Sequence, residues 1–225
     1  MIRLGQRINP PAAQADPAVL AELQGIVTPH LSDNLNRIVG MTGLGRINVT
    51  GKLAGTAVTV KTRPGDNLLV YVAMTMIRPG DVLVVDAGGD VTNAIIGELM
   101  MRYMVGRGCA GFVIDGAVRD TAAFADVPCY ARGVSHRGPY KTGPGEVNVP
   151  VSVGGQVVEP GDYLVGDEDG LVSFAPEFAP ELIEIAHRKA AAEQAVLDEI
   201  ASGAREQSWI QSLLKSAGLD GQAGS

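Results

Sequence analysis

The chain has 225 residues and a mass of 23.4 kDa, enough for one large domain or two small ones. Hydrophobic residues make up 46% of it and charged residues 19%, so it can bury a sizeable core, and global disorder is excluded. The net charge is −7, so the protein is not expected to have the basic surface that binding to a phosphate backbone requires. Nucleic acid is therefore not expected as a ligand. No apolar run reaches the roughly 18 residues of a membrane span, and the first residues lack the apolar segment of a signal peptide. A cytoplasmic location without membrane contact is therefore expected.

The first third of the chain is predicted to be mainly helical with one long strand. Apolar periodicity and capping residues indicate the helices, and alternation of small with β-branched residues indicates the strand. The predicted elements are a helix over Ala18–Gln24, a second helix capped by Thr28 or Ser32 and running through Leu35 and Ile38, a strand over Ala54–Val60, and a helix over Asn67–Met76.

The middle of the chain alternates strands with helices. Asp81–Asp86 and Gly111–Gly116 are continuous apolar runs typical of strands buried on both faces. Between them an apolar stripe predicts a helix that begins near Gly97. A further helix is predicted from Val118 to Ala125, so this part of the chain indicates a mixed α/β domain.

After Pro128 the pattern becomes rich in strands, and the chain then ends in helices. The predicted strands are Cys129–Arg132, Glu146–Val151, Gln156–Val158, Tyr163–Val165 and Leu171–Phe174, and the predicted helices are Glu177–Ala201 and Ser208–Ser216. We therefore predict an α/β fold with a mixed sheet, in which residues 1–175 form one domain. Residues 176–225 are expected to form a C-terminal helical arm that packs on a neighbouring subunit. Cys109 and Cys129 are expected to be buried free thiols.

The most informative polar residues follow the second apolar strand, where Arg119 and Asp120 stand side by side. Ligands of open α/β sheets gather outside the carboxyl ends of the strands. Arg119 offers a planar fork suited to a carboxylate, and Asp120 offers a hard oxygen suited to Mg²⁺, which keeps most of its waters. The alternative is that Asp120 caps its helix beside a solvated Arg119. Asp115, in the preceding Asp-Gly pair, is typical of a turn.

A helix beginning at Gly97 would offer further binding groups. Its free first-turn amides, from Gly97 through Glu98 and Leu99 to Met100, can hold a carboxylate together with the helix dipole. Glu98 is a candidate base, or it orients a metal-bound water; the alternative is an ordinary first-turn glutamate stabilised by the dipole. None of the lysines lies in the strongly apolar strand that a Schiff-base lysine needs, and Lys61 comes nearest.

Four motifs in order resemble those of one protein family. They are Gly97-Glu98-Leu99-Met100, Gly111 to Asp120, Gly143 to Pro150, and Gly166 to Val172. Over roughly residues 28 to 175, including Pro64-Gly65-Asp66-Asn67, the chain is similar to the family of 4-hydroxy-4-methyl-2-oxoglutarate aldolase, 4-carboxy-4-hydroxy-2-oxoadipate aldolase and the regulator of ribonuclease activity A. The resemblance implies a compact β/β/α swivelling-type domain, assembled as a homotrimer or homohexamer with sites between subunits.

The resemblance also implies a reaction. It is a class II cleavage of 4-hydroxy-2-oxo dicarboxylic or tricarboxylic acids to pyruvate and a 2-oxo acid, with oxaloacetate decarboxylation as a side reaction. At the matching motif positions Asp120 would hold Mg²⁺ or Mn²⁺, largely through waters. Arg119 would contact the 2-oxo acid and the developing enolate, and the amides of Gly97 to Met100 would bind its carboxylate. Glu98 stands where an aspartate is expected in the aldolases.

The C-terminal helix separates two functions within the resemblance. The aldolases place a glutamate of this helix in the site of a neighbouring subunit, and Glu193 falls at the matching point. Without the resemblance, an exposed helical glutamate such as Glu193 would be assigned to a solvated face. The alternative function is a non-catalytic regulator that binds a ribonuclease.

Overall fold

Strands and helices alternate along residues 5–219, which the computed structural model describes. The helices are α1 (Pro17–Gly25), α2 (Thr28–Asn34), α3 (Leu68–Met76), α4 (Glu98–Val105), α5 (Ala179–Ala201) and α6 (Ser208–Ser216). The strands are β1 (Gly45–Arg46), β2 (Leu53–Thr62), β3 (Asp81–Asp86), β4 (Ala94–Ile96), β5 (Gly111–Val118), β6 (Cys129–Val134), β7 (Gly145–Val147), β8 (Val151–Val153), β9 (Gln156–Val158), β10 (Tyr163–Asp167) and β11 (Gly170–Phe174). Within the described residues, no helix is both long enough and apolar enough to span a membrane.

Nine of these strands form one mixed sheet in the order β1-β6-β5-β3-β2-β10-β11, with β4 paired to β5 and β7 paired to β2. Strands β2, β3, β5 and β6 run parallel to their neighbours in this group. β10 joins β2 antiparallel and continues into β11, while β8 and β9 form a separate two-stranded hairpin. The mixed α/β class and the C-terminal helix are confirmed.

The central strands are apolar along their whole length because both faces of the sheet are covered. On β3, Leu83 and Val85 point into a core shared with α3 and α4, whereas Val82 and Val84 point into a second core. That second core includes Val151 of the β8–β9 hairpin. Burial of each such side chain contributes about 2 kcal/mol relative to exposure. This double coverage explains the unbroken apolar runs in the sequence.

The chain divides into two compact units, the first ending at Ile183 and the second beginning at Glu184. The second unit contains most of α5 and the whole of α6, whose bounds agree with the predicted helix. Trp209 and Leu213 of α6 are exposed. In the first unit Cys109 and Cys129 are buried free thiols, and burial raises the pKa of Cys109 to about 11.

The predicted helix from Val118 to Ala125 is wrong. β5 continues through Val118, which pairs with both β4 and β6, and only a 3-10 turn over Thr121–Phe124 follows. Asp115 is therefore a strand residue and not a turn residue. It forms an ion pair with Arg132, and its Oδ2 also accepts a hydrogen bond from the N–H of Gly154 at 3.0 Å.

The predicted cap and extent of the second helix are also wrong. Val27 is the N-cap of α2, and the Thr28 hydroxyl donates to Asp167 Oδ1 at 2.5 Å instead of capping. The helix ends before Leu35, and Asn36 and Arg37 then adopt positive φ values of 58°. Likewise, the strand predicted over Glu146–Val151 divides into β7 and β8, because Asn148 between them has φ 53°.

Candidate active site

Two strand ends lie side by side and bring the candidate residues together. β4 runs parallel to β5 with Ile96 opposite Val118, and the N–H of Arg119 donates to the Ile96 carbonyl at 3.1 Å. Gly97 therefore leaves β4 beside the point where Arg119 and Asp120 leave β5. Because Gly97 is the N-cap of α4, this register places the positive end of that helix next to the Arg–Asp pair.

Because Gly97 has no side chain, Arg119 and Asp120 can lie close to its backbone. A Cβ at this position would lie 2.5 Å from Asp120 Oδ2 and 2.9 Å from Arg119 Cγ. The φ of Gly97 is −145°, which any residue can adopt, so the requirement for glycine is steric and not conformational. The close approach of the two strand ends thus depends on this glycine.

Asp120 has an uncommon backbone conformation. Its φ of 56° lies in the left-handed region, which costs about 1 kcal/mol for an L-residue, and aspartate is among the residues that tolerate it. Asp120 Oδ2 accepts the N–H of Glu98 at 3.1 Å and lies 3.6 Å from Arg119 Nε. The carboxylate makes no capping bond to the 3-10 turn that follows it, so it is directed toward α4 and not toward its own turn.

A cavity of about 200 Å³ opens at this junction. It is lined by Asn67, Tyr71, Ile95, Ile96, Gly97, Glu98, Leu99, Met100, Arg119, Asp120, Pro139 and Lys141. The N–H groups of Leu99 and Met100 belong to the first turn of α4, so they have no acceptor within the helix. The Glu98 carboxylate accepts a hydrogen bond from Arg102 Nε at 2.7 Å, one turn along α4. The six residues of the first unit that were predicted to bind substrate or metal or to carry out catalysis line this one cavity: Gly97, Glu98, Leu99, Met100, Arg119 and Asp120.

Glu193 belongs to the second unit and lies on α5. Its carboxylate lies 3.9 Å from the ammonium of Lys189, and its side chain is half exposed. Lys61, the nearest Schiff-base candidate, lines a different hollow together with Glu146. Lys61 is therefore not part of the cavity that Arg119 and Asp120 line.

The structure adds two cavity residues, Asn67 and Lys141, that were not predicted as site residues from the sequence. Asn67 is buried, and its Nδ2 donates to the Ile95 carbonyl at 2.8 Å, whereas its Oδ1 has no hydrogen-bond partner. An acceptor buried without a partner costs about 1–3 kcal/mol, so it is available to a ligand donor. In the sequence, Asn67 stands at the start of a predicted helix and at the end of the Pro64–Asn67 segment of the family resemblance, and neither feature gave it a role in the site. No sequence pattern indicated Lys141, because it lies in the loop between β6 and β7 and not next to Arg119 and Asp120 in the sequence.

Asp66 holds the loop that carries Lys141. Its Oδ2 accepts the N–H groups of Thr142 at 2.7 Å and Gly143 at 2.9 Å, and its Oδ1 accepts the N–H of Leu68 at 2.9 Å. Burial alone would raise the pKa of Asp66, but these hydrogen bonds outweigh it and hold the pKa below its usual range. An ionised side chain thus joins the start of α3 to the cavity loop.

The part of the chain that forms this site matches a known protein family. Residues 28–173 match the family described as RraA-like: Aldolase/RraA, so the chain belongs to it. The match spans the sheet, the two strand ends and the loop of Lys141.

Individual relatives carry two kinds of name. A protein of Halalkalibacterium halodurans, provisionally named a 4-hydroxy-4-methyl-2-oxoglutarate aldolase, is 37% identical over 186 residues, which are 81% of this chain and 89% of that protein. The 4-hydroxy-4-methyl-2-oxoglutarate aldolase of Thermus thermophilus is 41% identical over 109 residues, 48% of this chain and 66% of the relative. The crystal structure of Streptomyces coelicolor RraAS2, described as an unusual member of the RNase ES inhibitor RraA family, has a TM-score of 0.76 and 26% identity. The structural match covers 82% of this chain and 98% of the RraAS2 chain.

Proposed function

We propose that the protein is a divalent-metal-dependent, class II aldolase. Its substrates would be 4-hydroxy-2-oxo dicarboxylic or tricarboxylic acids of the 4-hydroxy-4-methyl-2-oxoglutarate type, and its products pyruvate and a second 2-oxo acid. The observation that carries the proposal is the meeting of Arg119, Asp120 and the first turn of α4 at one cavity. The names of two relatives support the reaction class.

The donor atoms at the cavity fit a hard cation that keeps most of its waters. Asp120 is 48% exposed, so its carboxylate is open to a hydrated ion. Between residues 5 and 219, no cluster of three or more His, Cys, Asp or Glu side chains is placed to ligate a metal, which disfavours a closed zinc-type cage. Mg²⁺ or Mn²⁺ held by Asp120 and waters suits this donor set. When bound, such a cation supplies Lewis-acid polarisation of the 2-oxo acid.

The cleavage places negative charge where this chain has positive groups. A proton leaves the 4-hydroxyl, the C3–C4 bond breaks, and its electron pair forms the pyruvate enolate, which then takes a proton at C3. The Arg119 guanidinium stabilises the enolate oxygen, and the first-turn N–H groups of α4 bind the neighbouring carboxylate. Glu98 of the same subunit is proposed to take the proton of the 4-hydroxyl, and its carboxylate is oriented by the hydrogen bond from Arg102. Loss of CO₂ from oxaloacetate leaves the same enolate, so decarboxylation is expected as a side reaction.

A second subunit is proposed to complete the site in a trimer or hexamer. Large apolar side chains near the cavity are unusually exposed, with Leu99 at 85%, Tyr140 at 63% and Tyr71 at 41%. Exposed apolar patches of this kind are typical of interaction sites. In such an assembly the C-terminal arm, residues 176–225, would place Glu193 at a neighbouring subunit's cavity as a second proton-transfer group.

Pyruvate release from 4-hydroxy-4-methyl-2-oxoglutarate tests the proposal. We expect turnover that EDTA abolishes and Mg²⁺ or Mn²⁺ restores, and none in Asp120→Ala. Turnover that survives both EDTA and Asp120→Ala would refute the metal assignment. Analytical ultracentrifugation of the same preparations measures the oligomer, and a monomer with full turnover would refute the shared site.

The second candidate function is a regulator that binds a ribonuclease, and the likeness to RraAS2 favours it. It predicts a stable complex with the ribonuclease and no release of pyruvate. Truncation before Glu177 separates the two functions. The aldolase would lose turnover with Glu193, whereas a regulator acting through the first unit would keep its complex.

A further inference from the structure

A loop with a fixed backbone presents Lys141 to the cavity. On one side of it, the N–H of Tyr140 donates to the Gly65 carbonyl at 2.8 Å, and the Tyr140 carbonyl accepts the N–H of Asn67 at 3.0 Å. On the other side, Thr142 donates both its N–H and its hydroxyl to Asp66 Oδ2, at 2.7 and 3.1 Å. The position of Lys141 on the cavity wall is therefore determined by both of its neighbours.

The ammonium group of Lys141 lies 6.0 Å from the ring centroid of Tyr71, which also lines the cavity. Such a contact favours side-chain conformations that keep the charge near the ring. Lys141 and Arg119 are the two cationic residues of the cavity wall, and Asp120 is the ion-pair partner of Arg119. Within residues 5–219, Lys141 has no carboxylate within salt-bridge distance. Its charge is thus available to an anionic ligand.

We propose that Lys141 binds the second carboxylate of the substrate, which is the carboxylate attached to C4 and released with the second 2-oxo acid. The inference rests on the proposed function, in which Arg119 and the amides of α4 engage the 2-oxo acid end. A second cation on a separate loop then provides a site for a second negative charge. Lys141 would thereby select hydroxy-oxo acids with two carboxylates over those with one.

A covalent role for Lys141 is disfavoured by its surroundings. A lysine that forms a Schiff base must lose its proton, which requires an apolar pocket or a neighbouring cation. Lys141 is exposed at the cavity wall, its ammonium lies 6.0 Å from the Tyr71 ring centroid, and the charge of Arg119, the other cation of the wall, is paired with Asp120. The geometry therefore favours a charged, binding lysine.

The test compares two substrates that differ only in this carboxylate. They are 4-hydroxy-4-methyl-2-oxoglutarate and 4-hydroxy-4-methyl-2-oxopentanoate, which releases pyruvate and acetone. The measured quantity is the ratio of their kcat/KM values. We expect the ratio to fall at least tenfold in Lys141→Met, mainly through KM for the diacid, and to be largely retained in Lys141→Arg. Lys215→Met, which removes an exposed lysine of α6, is the matched control and should keep the wild-type ratio.

The outcomes separate this inference from the proposed function. Wild-type cleavage with an unchanged ratio in Lys141→Met, or an equal loss on both substrates, would overturn the role of Lys141 and leave the aldolase intact. Borohydride trapping of pyruvate on Lys141 would overturn it as well, in favour of a Schiff base. No pyruvate from either acid with the wild type would refute the proposed function and this inference with it.

Discussion

The substitution Gly97→Ala tests whether the close approach of the two strand ends is required for catalysis. The added Cβ would lie 2.5 Å from Asp120 Oδ2 and 2.9 Å from Arg119 Cγ, whereas ordinary contact begins at 3.4 Å. Asp120 must therefore move by about 1 Å, and a misplacement of that size costs about 100-fold in rate. This loss corresponds to about 2.7 kcal/mol of transition-state stabilisation.

The expected loss is in function and not in folding. The φ of −145° suits alanine, and Arg119 and Asp120 are half exposed, so both side chains can move without opening the core. We expect Gly97→Ala to lower kcat/KM for pyruvate release about 100-fold and to weaken Mn²⁺ binding measured by calorimetry. Gly25→Ala is the matched control, since a Cβ there meets no atom within 4 Å. Wild-type kcat/KM in Gly97→Ala would refute the steric argument.

Two further substitutions test the charge arrangement. In Arg119→Lys the planar fork is lost, so kcat/KM should fall about 100-fold while the melting temperature stays close to that of the wild type; unchanged pyruvate release would contradict the enolate assignment. Asp66→Asn places an amide donor against the N–H groups of Thr142 and Gly143, and should destabilise the protein by about 2–3 kcal/mol at pH 7. Because the folded-state pKa of Asp66 is depressed, this stabilisation is present above the unfolded carboxyl pKa of about 4 and is lost as the pH falls through the folded value. Urea unfolding at pH 7 and pH 3 should therefore show a difference that shrinks in acid, and an equal difference at both values would contradict the role of the ionised carboxylate.

Several parts of the fold follow from local sequence chemistry. β3 and β5 are continuous apolar runs because both of their faces are buried, and that burial requires apolar residues at every position. α6 begins and ends where its apolar spacing predicts, at Ser208–Ser216. Arg119, Asp120 and the first turn of α4 were identified from motifs next to strand ends, and the structure places them at one cavity.

Other features could not be found from local patterns. β4 has only three residues and forms because β5 offers it a partner, so no periodicity could reveal it. The helix predicted from Val118 was wrong because pairing with two neighbouring strands outweighs local helix propensity. The left-handed φ of Asp120 and its contact with Glu98, which is 22 residues away, likewise have no periodic signal in the sequence.

The sequence by itself determined the mixed α/β class, the buried strands and the chemical character of the Arg–Asp pair, because these depend on residue type and on neighbours along the chain. Only the tertiary structure decided that Asn67 and Lys141 share the cavity with that pair. Their placement depends on the register of β4 against β5 and on the hydrogen bonds between Asp66 and the loop near Thr142. Such long-range contacts are made between segments whose spacing in the sequence carries no periodic signal.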